Sequence, residues 1–173
     1  AEYLDKFPPV NEIQIHEESS WSCAHGVERW RSNCGCNTGG NHGWTQEWRA
    51  PLRQALDWLR DELIPIYEQE AGPLLKYHWR ARNEYIRIIL DRSADHIDEF
   101  LQGHARKTLS KEDKSLLLRL LEMQRNALYM YTSCGWFFDE ISGIETNQIL
   151  QYALRAMSYA QQVSGAELHE TFV

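Results

Sequence analysis

From residue 45 onward the apolar positions recur at three- and four-residue spacings, and before it they do not. Trp48, Leu52, Leu56, Leu59, Leu63 and Ile66 line one face of a first helix. Thr45 or Ala50-Pro51 marks its start, and Pro65 predicts a bend. A second helix is expected from Pro73-Leu74, with Leu75, Trp79, Tyr85, Ile86, Ile89 and Leu90 turned inward as far as Asp91-Arg92-Ser93. Its continuation carries Ile97, Phe100 and Leu101 and ends near Gly103. Ser110-Lys111-Glu112-Asp113 is a capping signature, and the stretch 116–131 behind it is apolar on more than one face, which predicts a deeply buried helix. The period returns over 145–163 with Ile149, Leu150, Ala153, Leu154, Met157 and Ala160, and a further helix begins near Gly165.

Residues 1–44 lack this period. Pro8-Pro9 interrupts the chain, 12–16 alternates like a short strand, and 33–43 contains four glycines. The expected fold is therefore all-α: a bundle of four to five long helices over 45–173, preceded by an irregular, loop-rich segment over 1–44 with at most one short strand. The two parts are expected to form one folded unit. An irregular run of this length inside a compact domain usually serves a function.

Composition narrows the classes. The 173 residues are 43% hydrophobic and 25% charged, and seven Trp, eight Tyr and five Phe supply enough apolar area for a folded core. A net charge of -7 with no basic patch argues against nucleic acid as a partner. No apolar run is long enough for a membrane span, and the opening residues lack a basic n-region followed by an apolar h-region, so the expected location is cytoplasmic.

The candidate chemistry lies mostly in the irregular segment. Cys23, His25, Cys34 and Cys36 place four soft or borderline ligands within fourteen residues, beside glycines that permit tight turns. Zinc takes such Cys/His sets, with His42 and Cys134 as alternative ligands. The C-x-H and C-x-C spacings leave two other readings open: thiols packed in a tight loop, or a disulfide. A thiol nucleophile, Cys23 or Cys34 with His25, has the residue types but no orienting pattern. Trp21, Trp30, Trp44 and Trp48 flank the cluster, and Trp136 stands beside Phe137, Phe138, Asp139 and Glu140. Indole faces near carboxylates suit a sugar cleft, and they equally suit a loop packed on a bundle. Asp139 and Glu140 are adjacent and point different ways, so they are hydroxyl-binding or capping groups rather than an acid/base pair. There is neither a phosphate-binding glycine loop nor a G-x-S-x-G elbow.

Three strings, 19–30, 34–40 and 131–143, resemble a family. They are Ser-Ser-Trp-Ser-Cys-Ala-His-Gly-Val-Glu-Arg-Trp, Cys-Gly-Cys-Asn-Thr-Gly-Gly and Tyr-Thr-Ser-Cys-Gly-Trp-Phe-Phe-Asp-Glu-Ile-Ser-Gly. The chain looks like the helical domain that follows the catalytic barrel in bacterial proteins related to glycoside hydrolase family 57. The resemblance covers nearly the whole length, and departs from better-known members at Ser19-Ser20 and in the cysteine cluster. It implies an accessory domain that completes a carbohydrate-binding cleft, with Trp21, His25, Trp30, Trp136, Asp139 and Glu140 as its contribution. The catalytic carboxylates would lie on the barrel, outside these 173 residues, so this chain alone is expected to be inactive. Its partners would be that N-terminal barrel and a carbohydrate. The alternative is a metal-stabilised structural or protein-interaction module, in which Cys23, His25, Cys34 and Cys36 hold a structural zinc.

Overall fold

A computed structural model describes residues 2–172. In chain order its helices are α1 (Glu2–Lys6), α2 (Arg49–Ala71), α3 (His78–Glu84), α4 (Ile86–Leu90), α5 (Ala94–His104), α6 (Lys111–Tyr129), α7 (Cys134–Phe137), α8 (Ile144–Ser164) and α9 (His169–Phe172), with a 3-10 turn at Gly26–Trp30. The fold is all-α, as expected, and its long helices α2, α6 and α8 pack on one another around the core. The face read from sequence on α2 is the buried one: Leu52, Leu56, Leu59 and Leu63 point inward, joined by Tyr67 and Ala71. α6 contributes Leu117, Leu120, Leu121, Met123 and Ala127. α8 adds Ile149, Ala153, Ala156, Met157 and Ala160, and the three alanines allow close helix approach.

Local signals set the boundaries. Pro51 lies in the first turn of α2, where a backbone N–H has no helical partner to lose. Pro65 does not end α2; the helix continues to Ala71 with the proline on the exposed face, where water can satisfy the freed Asp61 carbonyl. Ser110 caps α6 through a reciprocal pair: its hydroxyl accepts the Asp113 N–H at 3.0 Å, and the Asp113 carboxylate accepts the Ser110 N–H at 3.0 Å.

Three expectations are corrected. The alternating stretch 12–16 forms no strand; among the described residues the sole β-type contact is an isolated bridge between Leu75 and Ala105. Val10, Ile13 and Ile15 are exposed, and alternation without a partner strand cannot hold a sheet. The second helix starts at His78 rather than at Pro73-Leu74 and breaks at Tyr85 into α3 and α4; its buried stripe runs through Ala81, Tyr85 and Ile88 at helical spacing, so Ile86 and Leu90, on the opposite face, meet solvent. Leu154 is also exposed, because the buried face of α8 runs through Ala153, Ala156 and Met157, about 100° round the helix from it.

Candidate metal centre

The segment before α2 folds into a tight loop over the α7 end of the bundle. Gly26 and Gly35 both have positive φ, 62° and 78°, which L side chains rarely adopt. At Gly26 a Cβ would also strike the Glu18 carbonyl, so the turn after Cys23 requires glycine twice over. Gly35 reverses the chain between Cys34 and Cys36, allowing both thiols to reach the same point.

The four sequence-predicted ligands converge there. One ligand atom from each of Cys23, His25, Cys34 and Cys36 lies within 4.8 Å of all the others. Cys23 Sγ stands 3.8 Å from Cys34 Sγ, 3.6 Å from Cys36 Sγ and 3.4 Å from His25 Nδ1, and Cys36 Sγ is 3.5 Å from the same nitrogen. A tetrahedral zinc with ordinary bond lengths separates two sulfurs by about 3.8 Å, and a sulfur and a nitrogen by about 3.5 Å. These four spacings match such a site, and the remaining pairs lie within 4.8 Å, so the set could hold a metal ion. The His25 backbone N–H also donates to Cys23 Sγ at 3.3 Å. Cys23 is buried and His25 is exposed, so the centre sits at the loop's surface. His42 and Cys134 stand outside the group, and all four cysteines are free thiols.

Two arginines lie beneath the cluster, and both are buried. Arg49 donates to the carbonyls of Phe137 and Phe138 at 3.0 and 3.1 Å, and its Nη1 approaches the Ser32 carbonyl and, at 3.9 Å, Cys34 Sγ. Arg29 donates to the Cys36 carbonyl at 3.2 Å and lies 4.1 Å above the Phe137 ring. Among the described residues neither forms an ion pair, and each has a buried Nε–H without an acceptor. Burial lowers the Arg49 pKa, partly offset by the adjacent Cys34. For Cys34, burial raises the pKa, but hydrogen bonds from the Cys36 backbone and the neighbouring thiols, with the Arg49 charge, bring it below the usual thiol range. Cys36 is raised, first by its contact with Cys23. The cation beneath the cluster thus favours the thiolate at Cys34.

Asp139 joins this loop to the bundle. It is buried and accepts from the Thr38 N–H, the Thr38 hydroxyl and the Gln46 side chain at 2.7, 2.6 and 2.8 Å. Glu140 accepts from Ser142 within its own loop. Trp136 is fully buried, stacked 6.1 Å from Trp48, and its Nε1 donates to the Met130 carbonyl. Thus, of the six residues expected in a sugar cleft, His25 belongs to the metal cluster, Trp136 and Asp139 are internal, and Glu140 is turned onto its own loop. Trp21 and Trp30 do line an open groove of about 340 Å³, with Phe137, Phe138, Cys134 and Glu145 opposite.

Arg29, Arg49, Thr38 and Gln46 were not anticipated. Arg49 had a signal: it stands three residues before Leu52 and seven before Leu56, on the apolar stripe of α2, where a cation must be buried. Thr38 and Gln46 reach Asp139 across 101 and 93 residues, and no local pattern encodes that.

A family model described as Domain of unknown function (DUF3536) matches residues 44–173. Neither a curated protein nor a solved structure matches the chain. The matched stretch contains Arg49, Trp136 and Asp139, and the four metal-type ligands precede it.

Proposed function

The chain belongs to the family described as Domain of unknown function (DUF3536), and we propose that here the family's helical bundle carries a metal-stabilised structural module, formed by the loop before α2. The observation that supports this most is the near-tetrahedral spacing of Cys23, His25, Cys34 and Cys36. Three thiolates and one imidazole fill all four positions of a zinc site and leave none for substrate, which suits a structural rather than a catalytic ion.

Charge supports the same reading. A divalent ion with three thiolates and a neutral imidazole carries one net negative charge. With the Asp139 carboxylate, that balances the buried Arg29 and Arg49 guanidiniums. With three neutral thiols in its place, one buried positive charge is left over, and such a charge is expensive. His25 would bind through Nδ1 and keep its other nitrogen protonated toward solvent.

The test is metal analysis of the purified, tag-free chain, with thermal unfolding before and after a chelator. One zinc per chain and a lower midpoint after chelation are expected, because a structural ion contributes folding free energy. Substituting Cys34→Ser should abolish stoichiometric binding while far-UV circular dichroism of the bundle persists. A chain that takes up no zinc, even when refolded with it under reducing conditions, contradicts the reading.

A further inference from the structure

We infer that the groove between the metal-type loop and α7–α8 is a binding site for an alkylammonium group. The inference uses the proposed metal centre, because one wall of the groove is the loop which that centre would hold. Trp21 lies two residues before Cys23, and Trp30 ends the 3-10 turn between His25 and Cys34. The opposite wall, Phe137, Phe138 and Glu145, belongs to the bundle.

Trp21 is 88% exposed, although tryptophan is usually well covered. Its ring lies nearly parallel to Phe137, 16° between planes at 6.1 Å, and Phe138 meets Phe137 edge-on at 5.3 Å. The groove is thus walled by π-faces. One full charge stands among them, Glu145, which is half-buried and has no ion-pair partner among the described residues. Aromatic faces with a carboxylate at the edge attract an organic cation through both the ring quadrupoles and the charge. Phe137 already receives the Arg29 guanidinium at 4.1 Å, which leaves Trp21, Trp30 and Phe138 for a ligand.

The polar inventory separates this ligand from a sugar. A polyhydroxylated ligand needs several converging donors and acceptors. Besides Glu145 and the indole N–H groups of Trp21 and Trp30, the polar side chains lining the groove are, among the described residues, Ser133 and the Cys134 thiol, and Glu145 is the one strong acceptor. The polar cluster nearby is spent internally, since Asp139 is engaged by Thr38 and Gln46. A volume of about 340 Å³ suits a small head group.

The experiment is a tryptophan-fluorescence titration of the full, zinc-supplemented chain at constant ionic strength. The probes are choline, tetramethylammonium, the neutral choline isostere 3,3-dimethylbutan-1-ol, and maltoheptaose. Saturable binding of both cations is expected, with choline preferred over its isostere by at least about tenfold, a difference of about 1.4 kcal/mol. Glu145→Gln keeps the shape of the groove and should weaken choline by about tenfold, and Trp21→Ala, in water-exposed loop, should abolish the signal change while the thermal midpoint stays put. Equal affinity for the isostere, binding of maltoheptaose in place of the cations, or no saturable binding overturns the inference. Zinc uptake without ammonium binding overturns it alone. Ammonium binding that survives in a chain shown to take up no zinc sustains the site and overturns the metal-held loop instead.

Discussion

The Asp139 carboxylate holds Thr38 by two hydrogen bonds, from the backbone N–H at 2.7 Å and from the hydroxyl at 2.6 Å, across 101 residues of chain. The same carboxylate receives Gln46 on its other oxygen at 2.8 Å. The four ligands shape the loop within itself, whereas Asp139 seats it on the bundle. Closure and docking are therefore separable by mutation.

Replacing Asp139 by alanine strands the Thr38 and Gln46 donors and removes a carboxylate whose charge favours the Arg49 guanidinium. Leaving a buried donor without its acceptor typically costs about 1–3 kcal/mol. The loss should fall on docking: limited proteolysis is expected to cut within 37–43 in the variant and not in the parent, with the helical circular dichroism largely retained. Asp139→Asn keeps one acceptor and should be intermediate. Unchanged stability and protease resistance in Asp139→Ala would remove Asp139 from this role.

Stability should also depend on pH through Glu122 on α6. Burial pushes its pKa up, but hydrogen bonds from Tyr85 and Arg92 and the charge of Arg125 outweigh that and hold it below the usual carboxylate range. A carboxylate whose folded pKa is depressed adds stability above its unfolded value, near about 4.3, and loses it as pH falls through the folded value. The parent should exceed Glu122→Gln by about 1–3 kcal/mol in urea at pH 7, and this gap should close toward pH 3. A gap independent of pH would mean that Glu122 acts through packing alone.

Much of this architecture was legible in the sequence because it is written locally. The stripe from Leu52 to Leu63, the Ser110 cap and the face of α8 near Ile149 and Ala153 each follow from spacing within one element. The four ligands were legible for the same reason, since they lie within fourteen residues beside glycines. What was not legible depends on the third dimension. Trp136 and Trp21 look alike as loop tryptophans, yet one is sealed against Trp48 and the other stands in water. Asp139 and Glu140 are neighbours in sequence, but only the first meets Thr38. In 85–90 apolar residues stand on two faces, and which face is buried, that of Tyr85 and Ile88 rather than that of Ile86 and Leu90, is decided by packing that no periodicity marks.

Gly35 offers a test of the loop that leaves every ligand in place. Its φ of 78° is one that alanine adopts at a cost of about 1 kcal/mol or more, although no neighbouring atom would obstruct the added Cβ. Gly35→Ala should therefore weaken zinc by several-fold in competition with a chromophoric chelator. Unchanged affinity would show that the Cys34–Cys36 turn is not what sets the site.

A pair of glycines separates crowding from backbone freedom in the bundle itself. At Gly135 an added methyl group would overlap the Ile149 side chain and lie 3.0 Å from the Glu145 carbonyl, so Gly135→Ala must push α7 away from α8. Overpacking of this kind costs about 1–3 kcal/mol. Because α7 carries the Phe137 carbonyl that receives both Arg29 and Arg49, the displacement should also reach the loop and lower its affinity for zinc. Gly103, in α5, has open space where its Cβ would be, and Gly103→Ala should stabilise by up to about 1 kcal/mol through the unfolded chain's lost freedom, with zinc affinity unchanged. Thermal unfolding and zinc competition on the two variants give opposite signs in stability and an effect on the metal for Gly135 alone. If Gly135→Ala were destabilised with its zinc affinity intact, α7 would not be the element through which the bundle positions the arginines.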